Sequence, residues 1–177
     1  APTAIIGAEG GSFSTVQGAF AAQGASGDGG YAVSADTGRT ENARANNDFT
    51  HTNAVVRLDR TITAKLSVGA TLRWFHSEIG EPGDRYTNDP NNENRESNLL
   101  ATVFAELTPT EHWFSRLTLG GQERRYEAET PAPNPPYFDP SGSNTVRSHR
   151  AVLDWLATYS GLEQHRITAG INAEGTH

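Results

Sequence analysis

Apolar and polar residues alternate along 65–76, KLSVGATLRWFH. The apolar members are Leu66, Val68, Ala70, Leu72 and Trp74. A period of two predicts a β-strand with two chemically different faces. The pattern recurs in 97–107, 113–124, 150–159 and 166–174, and less regularly in 3–12, 14–23, 30–40 and 50–60. The chain therefore contains about nine candidate strands, each long enough to cross a bilayer, which takes about 9–11 tilted residues.

The connections between these strands differ in length in a regular way. The short ones are 24–29, 61–64, 108–112 and 160–164, and the long ones are 41–49, 78–96 and 125–145. The link near Gly11 to Phe13 is the exception, because it is short where the alternation requires a long loop. Short turns at one end and long loops at the other are typical of bacterial outer-membrane barrels.

The two predicted faces favour a membrane barrel over a soluble sheet. The charged residues of the polar face are Arg57, Asp59, Arg73, Glu106, Arg116, Arg124, Arg150, Asp154, Arg166 and Glu174. On the apolar face, Trp74, Trp113 and Tyr159 lie near strand ends, whereas Trp155 lies nearer a strand centre. A soluble sandwich also alternates, but these segments exceed the usual strand of about 5–6 residues. We therefore predict an all-β antiparallel up-and-down meander, part of a transmembrane β-barrel that this chain alone does not close.

Composition is compatible with this prediction and excludes several other classes. The chain has 177 residues, 18 Gly and 9 Pro, with a net charge of −7 and no Cys or Met. An acidic chain is not expected to bind nucleic acid, and without Cys there is no disulfide or thiol chemistry. The chain has no apolar run of about 18 residues, so no transmembrane helix is expected. Because Met is absent even at position 1, we expect a processed product or part of a longer protein.

Several stretches resemble the first barrel hairpins of TonB-dependent outer-membrane transporters, of the cobalamin and siderophore receptor type. They are GAEGGSFSTVQGAF, GGYAVSADTGRT and NNDFTHTNAVVRLDR, and KLSVGATLRWFHSEIGEPG, NDPNNENRESNLLATVFAEL and HWFSRLTLGGQERRYE continue the likeness in order. The resemblance covers essentially the whole chain. It implies TonB-dependent uptake of cobalamin or a ferric siderophore across the bacterial outer membrane, by binding and gated release and not as an enzyme.

In this family a plug domain fills a barrel of about 22 strands, and the inner-membrane protein TonB energises transport through a short N-terminal box. No segment here matches the plug or that box, and the final residues NAEGTH lack a terminal aromatic. Residues 1–177 are therefore expected to be the N-terminal part of a barrel wall. The expected partners are outer-membrane lipid, the remaining barrel and plug, and TonB.

Two other functions remain open from the residues alone. One is a complete eight-stranded outer-membrane barrel with a structural or porin-like role, against which the ninth strand and the missing terminal aromatic count. The other is a soluble β-sandwich that serves as a binding module.

Candidate site residues fall in the two longest predicted loops. Residues 78–96 are rich in carboxylate and amide oxygens, which suit Ca²⁺ with its 6–8 oxygen ligands, and Asp84 and Asp89 are the candidate calcium ligands. Cobalamin transporters of this family order such loops with calcium, whereas the alternative is a solvated loop. In the Pro-rich segment 125–145, Tyr137 and Phe138 are candidates for ligand contact. The six His residues show no metal-binding spacing, and GASGDGG lacks the Lys-Ser/Thr of a phosphate-binding loop.

Overall fold

Nine antiparallel strands form one sheet in the computed structural model, which describes residues 1–82, 91–131 and 141–177. The strands are β1 (Thr3–Gly11), β2 (Thr15–Ser26), β3 (Gly29–Thr40), β4 (Phe49–Thr63), β5 (Leu66–Glu81), β6 (Asn92–Thr110), β7 (Trp113–Thr130), β8 (Gly142–Leu162) and β9 (His165–Thr176). Each strand pairs with its neighbours in sequence, from β1 at one edge to β9 at the other. The predicted antiparallel up-and-down meander is confirmed. No helix in the described ranges is long and apolar enough to cross a membrane.

The connections have the predicted distribution of lengths. Two-residue turns at 27–28, 64–65, 111–112 and 163–164 define the short-turn end of the sheet. In two of these turns, Gly27 and Gln164 have φ angles of 58° and 64°, positive values that are common in tight hairpin turns. The opposite, long-loop end carries the links 41–48, 82–91 and 131–141, together with the three-residue link 12–14 between β1 and β2.

Strands β5 to β8 extend further toward the long-loop end than alternation predicts. β6 begins at Asn92, β7 ends at Thr130 and β8 begins at Gly142, so the predicted ends at 97, 124 and 150 were wrong. In these extensions polar residues predominate on both faces, and the regular apolar alternation that marks a half-buried strand disappears. The backbone ladder continues nevertheless, with Arg95 opposite both Glu78 and Glu127.

One face of the sheet carries a continuous apolar belt. Its residues alternate within five nine-residue segments, 66–74, 99–107, 113–121, 151–159 and 167–175. The register aligns these segments, because Ala70 lies opposite Val103 and Val103 lies opposite Leu119. Nine residues rise about 30 Å along a strand. The belt side chains are largely exposed, with Val103 at 50% and Ile171 at 60%.

The described residues do not form the hydrophobic core of a sandwich. Ala157 is the one buried hydrophobic residue in the described parts of the chain, and the strands there form one sheet whose order runs from β1 to β9 without returning to β1. The structure therefore shows neither of the two alternative folds, the two-layer sandwich and the closed eight-stranded barrel.

Aromatic residues lie toward both ends of the belt. At the short-turn end the rings of Trp113 and Tyr159 are 6.0 Å apart, and at the other end Trp74 stacks on His76. Trp155 lies on the apolar face near the middle of its belt segment, as sequence analysis predicted. Its Nε1–H donates to Ser115 Oγ at 2.9 Å, so the indole has a hydrogen-bond partner within this surface.

Gly69 in β5 makes room for an aromatic side chain on the opposite, polar face. A Cβ at this position would overlap Cζ and Cε1 of Phe104 and would lie 3.0 Å from the backbone oxygen of Leu58. Phe104 is directly opposite Gly69 in the register. The glycine is therefore required by the close approach of the ring.

We expect Gly69→Ala to lower the free energy of unfolding by about 1–3 kcal/mol, because the methyl group forces Phe104 out of its position. Denaturant titration of the whole protein measures the change. Gly121→Ala is the matched control, since a Cβ there meets no atom within 4 Å. Adding Phe104→Leu should restore most of the loss. Equal effects of the two alanine substitutions would contradict the packing argument.

Candidate functional site

The polar face of the sheet is a wall of paired charges. Glu106 accepts from Arg116 at 3.1 Å, Glu96 from Arg124 at 2.7 Å and Glu174 from Arg150 at 2.6 Å. Each pair links two adjacent strands. The side chains are partly exposed, so each pair contributes little to stability. Together these pairs form a solvent-accessible surface that carries both signs of charge.

Phe104 is the main aromatic contact for cations on this wall. The guanidinium carbon of Arg116 lies 4.7 Å from the ring centroid and that of Arg57 lies 5.6 Å from it. Both distances are within the range of a cation–π contact. Arg116 also pairs with Glu106, whereas Arg57 has a looser contact with Asp59 at 3.7 Å. The arginines are therefore held over the ring at defined positions.

A groove of about 400 Å³, which we name the inner groove, lies on the polar face between β1 and β5. Its floor consists of short side chains, including Ala21, Ala32 and Ser34, and its β4 and β5 side carries Arg57 and Arg73. Arg73 is exposed and has no ion-pair partner among the described residues. The inner groove is therefore a polar concavity with uncompensated positive charge, suited to a negatively charged group.

Asp36 organises a second polar group on the same face. Its Oδ2 accepts from Asn53 Nδ2 at 2.9 Å and lies 3.1 Å from His51 Nε2. The His51 ring stacks on Phe49 and lies over Gly38, where a Cβ would be 2.7 Å from the ring. Tight packing thus orients the imidazole toward the carboxylate. His51 Nδ1 is buried without a hydrogen-bond partner in the described residues.

An ion-pair network lies on the apolar-belt face, beyond the belt toward the long-loop end. Arg95 contacts Glu93 at 2.9 Å, Glu129 at 3.4 Å and Glu78 at 3.5 Å. The charge of Glu93, and then its hydrogen bond, raise the pKa of Arg95, with smaller contributions from Glu129 and Glu78. The network connects β5, β6 and β7 above the belt, where the backbone ladder of these strands also continues.

Asn46 fastens the link 41–48 across the ends of β5 and β6. Its Nδ2 donates to the backbone oxygens of Glu81 at 2.8 Å and Asn92 at 2.9 Å. The residue has φ of 51°, a conformation that Asn tolerates better than most residues. The amide of Gly80 donates to the Asp48 oxygen at 2.9 Å, which completes the junction.

The site residues predicted from sequence fall outside the described residues. These are Asp84 and Asp89 for calcium and Tyr137 and Phe138 for ligand contact, so all four stay predictions. Residues beside the predicted calcium loop also carry oxygen atoms that could bind a cation. Among them, the Glu93 carboxylate is paired with Arg95, and the Glu81 carboxylate accepts a hydrogen bond from Asn94 Nδ2. Within the described ranges, no group of three His, Asp or Glu residues is placed to hold a metal ion.

Sequence reasoning missed two features of the site. Arg73 was assigned correctly to the polar face, but its place beside Arg57 over a small-residue floor depends on the register of five strands. The role of Asn46 was also missed. The polar stretch NARANND before β4 could have indicated this role, because Asn is enriched at positions with positive φ.

Comparison with known proteins identifies the fold but no family. No family model matches the chain, and no curated protein matches it significantly. A solved structure of the RagAB peptide importer in the "closed-closed" state matches with a TM-score of 0.68 and 17% sequence identity. The match covers 90% of this chain and 24% of the importer chain, so this chain spans about a quarter of that chain's length. At this identity the likeness establishes the fold alone.

We expect Asn46→Ala to loosen the junction of 41–48 with β5 and β6, because two hydrogen bonds of about 0.5–1.5 kcal/mol each are lost. Amide hydrogen exchange at Gly80 should accelerate, and limited proteolysis within 41–48 should become faster. Asn46→Gly separates the loss of these hydrogen bonds from backbone strain, since glycine removes the side chain but accommodates the positive φ. Exchange at Gly80 that stays at the wild-type rate in both variants would contradict this role.

Proposed function

We propose that the chain forms part of the wall of an outer-membrane β-barrel that takes up a scarce, bulky nutrient with energy supplied through TonB. The observation that carries this proposal is the apolar belt, which is nine residues tall in five neighbouring strands and has no protein layer against it in the described residues. The opposite face is polar and ion-paired. This combination fits a wall between hydrocarbon and a water-filled or plugged lumen.

The dimensions of the belt support a bilayer as its surroundings. A transmembrane strand needs about 9–11 residues, and a nine-residue segment tilted by about 35–45° spans close to the 25 Å apolar band of such barrels. In water, this exposed face would be costly, since the hydrophobic effect is worth roughly 25 cal/mol per Å². The sheet also pairs its interior backbone groups between strands, as hydrocarbon requires.

The two ends of the sheet indicate its orientation. Outer-membrane barrels have short periplasmic turns and longer extracellular loops, so the short-turn end should face the periplasm. The extensions of β6, β7 and β8 beyond the belt then project outside the cell, where the Arg95 network is hydrated. The edge strands β1 and β9 have no second neighbour in the described chain. We propose that further strands of the same transporter pair with them, because open edges are not tolerated in lipid.

The transport role and the cargo rest on two kinds of similarity and on the inner groove. The sequence resembles cobalamin and siderophore receptors, and the structural neighbour is a peptide importer. Arg57 and Arg73 favour a cargo with negatively charged groups. We therefore propose uptake of cobalamin or a ferric siderophore, with peptides as the second candidate. Asp84 and Asp89 are proposed to bind calcium in the outer loop, and Tyr137 and Phe138 to contact the cargo.

We expect Val103→Arg to destabilise the folded barrel by about 2–4 kcal/mol, because the charge is placed near the middle of the hydrocarbon layer. Thr102→Arg is the matched control, since the neighbouring residue faces the polar side of the same strand. Its cost should be much smaller. Denaturant unfolding of the whole protein in phospholipid vesicles measures both values. Equal costs on the two faces would exclude the membrane-wall interpretation.

Deletion of the gene that carries this chain should abolish energy-dependent uptake of its cargo. Labelled cobalamin, ferric siderophores and peptides should be supplied separately to deleted and complemented cells. An uncoupler or depletion of TonB should reduce the complemented uptake to the level of the deletion. If uptake of all three cargoes is the same with and without the gene, the transport proposal fails.

The same uptake assay can test whether the inner groove binds the cargo. Arg57→Gln/Arg73→Gln should lower the uptake of a negatively charged cargo while the amount of protein in the outer membrane stays constant. Arg166→Gln is the control, because this polar-face arginine of β9 lies outside the inner groove. Similar uptake by the double variant and the control would exclude the inner groove from cargo binding.

A further inference from the structure

A second groove, of about 730 Å³, lies on the apolar-belt face between β3 and β7, and we name it the outer groove. Its volume is within the range of about 300–1,000 Å³ that small-molecule sites occupy. The floor is formed by four short side chains of β5 and β6, which are Val68, Ala70, Val103 and Ala105.

The register explains why this part of the belt is concave. One row across the sheet runs from Leu58 through Ala70 and Val103 to Leu119. Larger side chains on β4 and β7 thus flank small ones on the two strands between them. Tyr31 widens the groove on the β3 side, because its ring lies over Gly24, where a Cβ would be 2.8 Å from the hydroxyl.

Arg60 places a positive charge at one end of this apolar groove. It shares a row of the same face with Val68, Ala105 and Leu117. The side chain is exposed and has no ion pair or hydrogen bond with any described residue. An arginine in an apolar row is costly in a bilayer unless its guanidinium reaches the interface or an anion.

The position of Arg60 along β4 corresponds to the level of the lipid headgroups. Arg60 lies four residues before the 64–65 turn, and Tyr159 lies at the same distance from the 163–164 turn. Tyr and Trp mark the membrane interface, so Arg60 lies near that interface on the short-turn side. From there the floor runs to Ala70 and Val103, each at the middle of its nine-residue belt segment.

We propose that the outer groove binds one anionic phospholipid of the leaflet on the short-turn side. Its phosphate pairs with Arg60, and an acyl chain lies over Ala70 and Val103. The inference rests on the proposed function, because it requires the apolar belt to face lipid. Charge complementarity selects this occupant. Asp59 also lines the groove, but its carboxylate lies 3.7 Å from Arg57 Nε on the polar face and not beside Arg60.

The test uses the whole protein, delipidated in detergent and titrated with phosphatidylglycerol or with phosphatidylcholine, whose headgroup has no net charge. Native mass spectrometry counts the lipids retained. Wild-type protein should retain one phosphatidylglycerol in preference to phosphatidylcholine. Arg60→Gln should weaken this binding about tenfold through loss of a charge-assisted hydrogen bond, whereas Arg60→Lys should retain most of it.

Two substitutions in β6 test the apolar part of the site. Ala105→Phe fills the floor and should remove the retained lipid. Ala101→Phe is the matched control, because Ala101 lies on the same face of the same strand but outside the outer groove. Since both variants add the same ring to the lipid-facing surface, a general effect on folding would appear in both.

Several results would overturn the proposal. They are equal retention of the two lipids, binding unchanged by Arg60→Gln or Ala105→Phe, and a dimer that Ala105→Phe dissociates, which would assign the groove to a second copy of the chain. These failures are distinct from failure of the proposed function. If the protein inserts into membranes and supports transport but gives one of these results, only the lipid site is contradicted. If the protein does not insert into membranes, the lipid site and the proposed function are both contradicted.

Discussion

The structure depends on one constraint, which is that the apolar face of the sheet has no protein layer to pack against in the described chain. Hydrophobic burial is normally the dominant favourable term in folding, yet Ala157 alone is buried among the described hydrophobic residues. In the membrane wall that we propose, hydrocarbon covers the apolar belt. The interstrand ladder pairs the backbone groups, because hydrocarbon has no hydrogen-bonding groups to compete.

The polar face follows a different principle, because its side chains pair with one another. Its carboxylates and guanidiniums pair across adjacent strands, and glycines at 38 and 69 allow His51 and Phe104 to lie flat on the sheet. Two of the arginines that lack such a partner lie beside grooves. Arg73 on the polar face and Arg60 on the apolar face each carry a charge that the described chain does not neutralise, and each lies beside a groove with a small-residue floor.

At the long-loop end of the sheet, the strands continue after their hydrophobic pattern has ended. Beyond the belt, β5, β6 and β7 are joined by Arg95 and its three carboxylates, and Asn46 ties the link 41–48 to the strand ends. The backbone ladder and these polar contacts therefore continue where the apolar alternation ends. Because alternation was the signal for a strand, the predicted strand ends were too short at this end of the sheet.

The sequence alone determined the number of strands, their antiparallel order, the assignment of residues to two faces and the separation of short turns from long loops. These follow from local physics, because a period of two is set by the backbone and residues such as Gly27 favour a tight turn. The tertiary structure decided which residues meet across the strands. Phe104 lies over Gly69, Arg57 comes beside Arg73, and Ala70 and Val103 form a floor between leucines, only because the register aligns positions far apart in the chain. No local pattern encodes that alignment, since a shift of two residues would preserve both faces and change every pair.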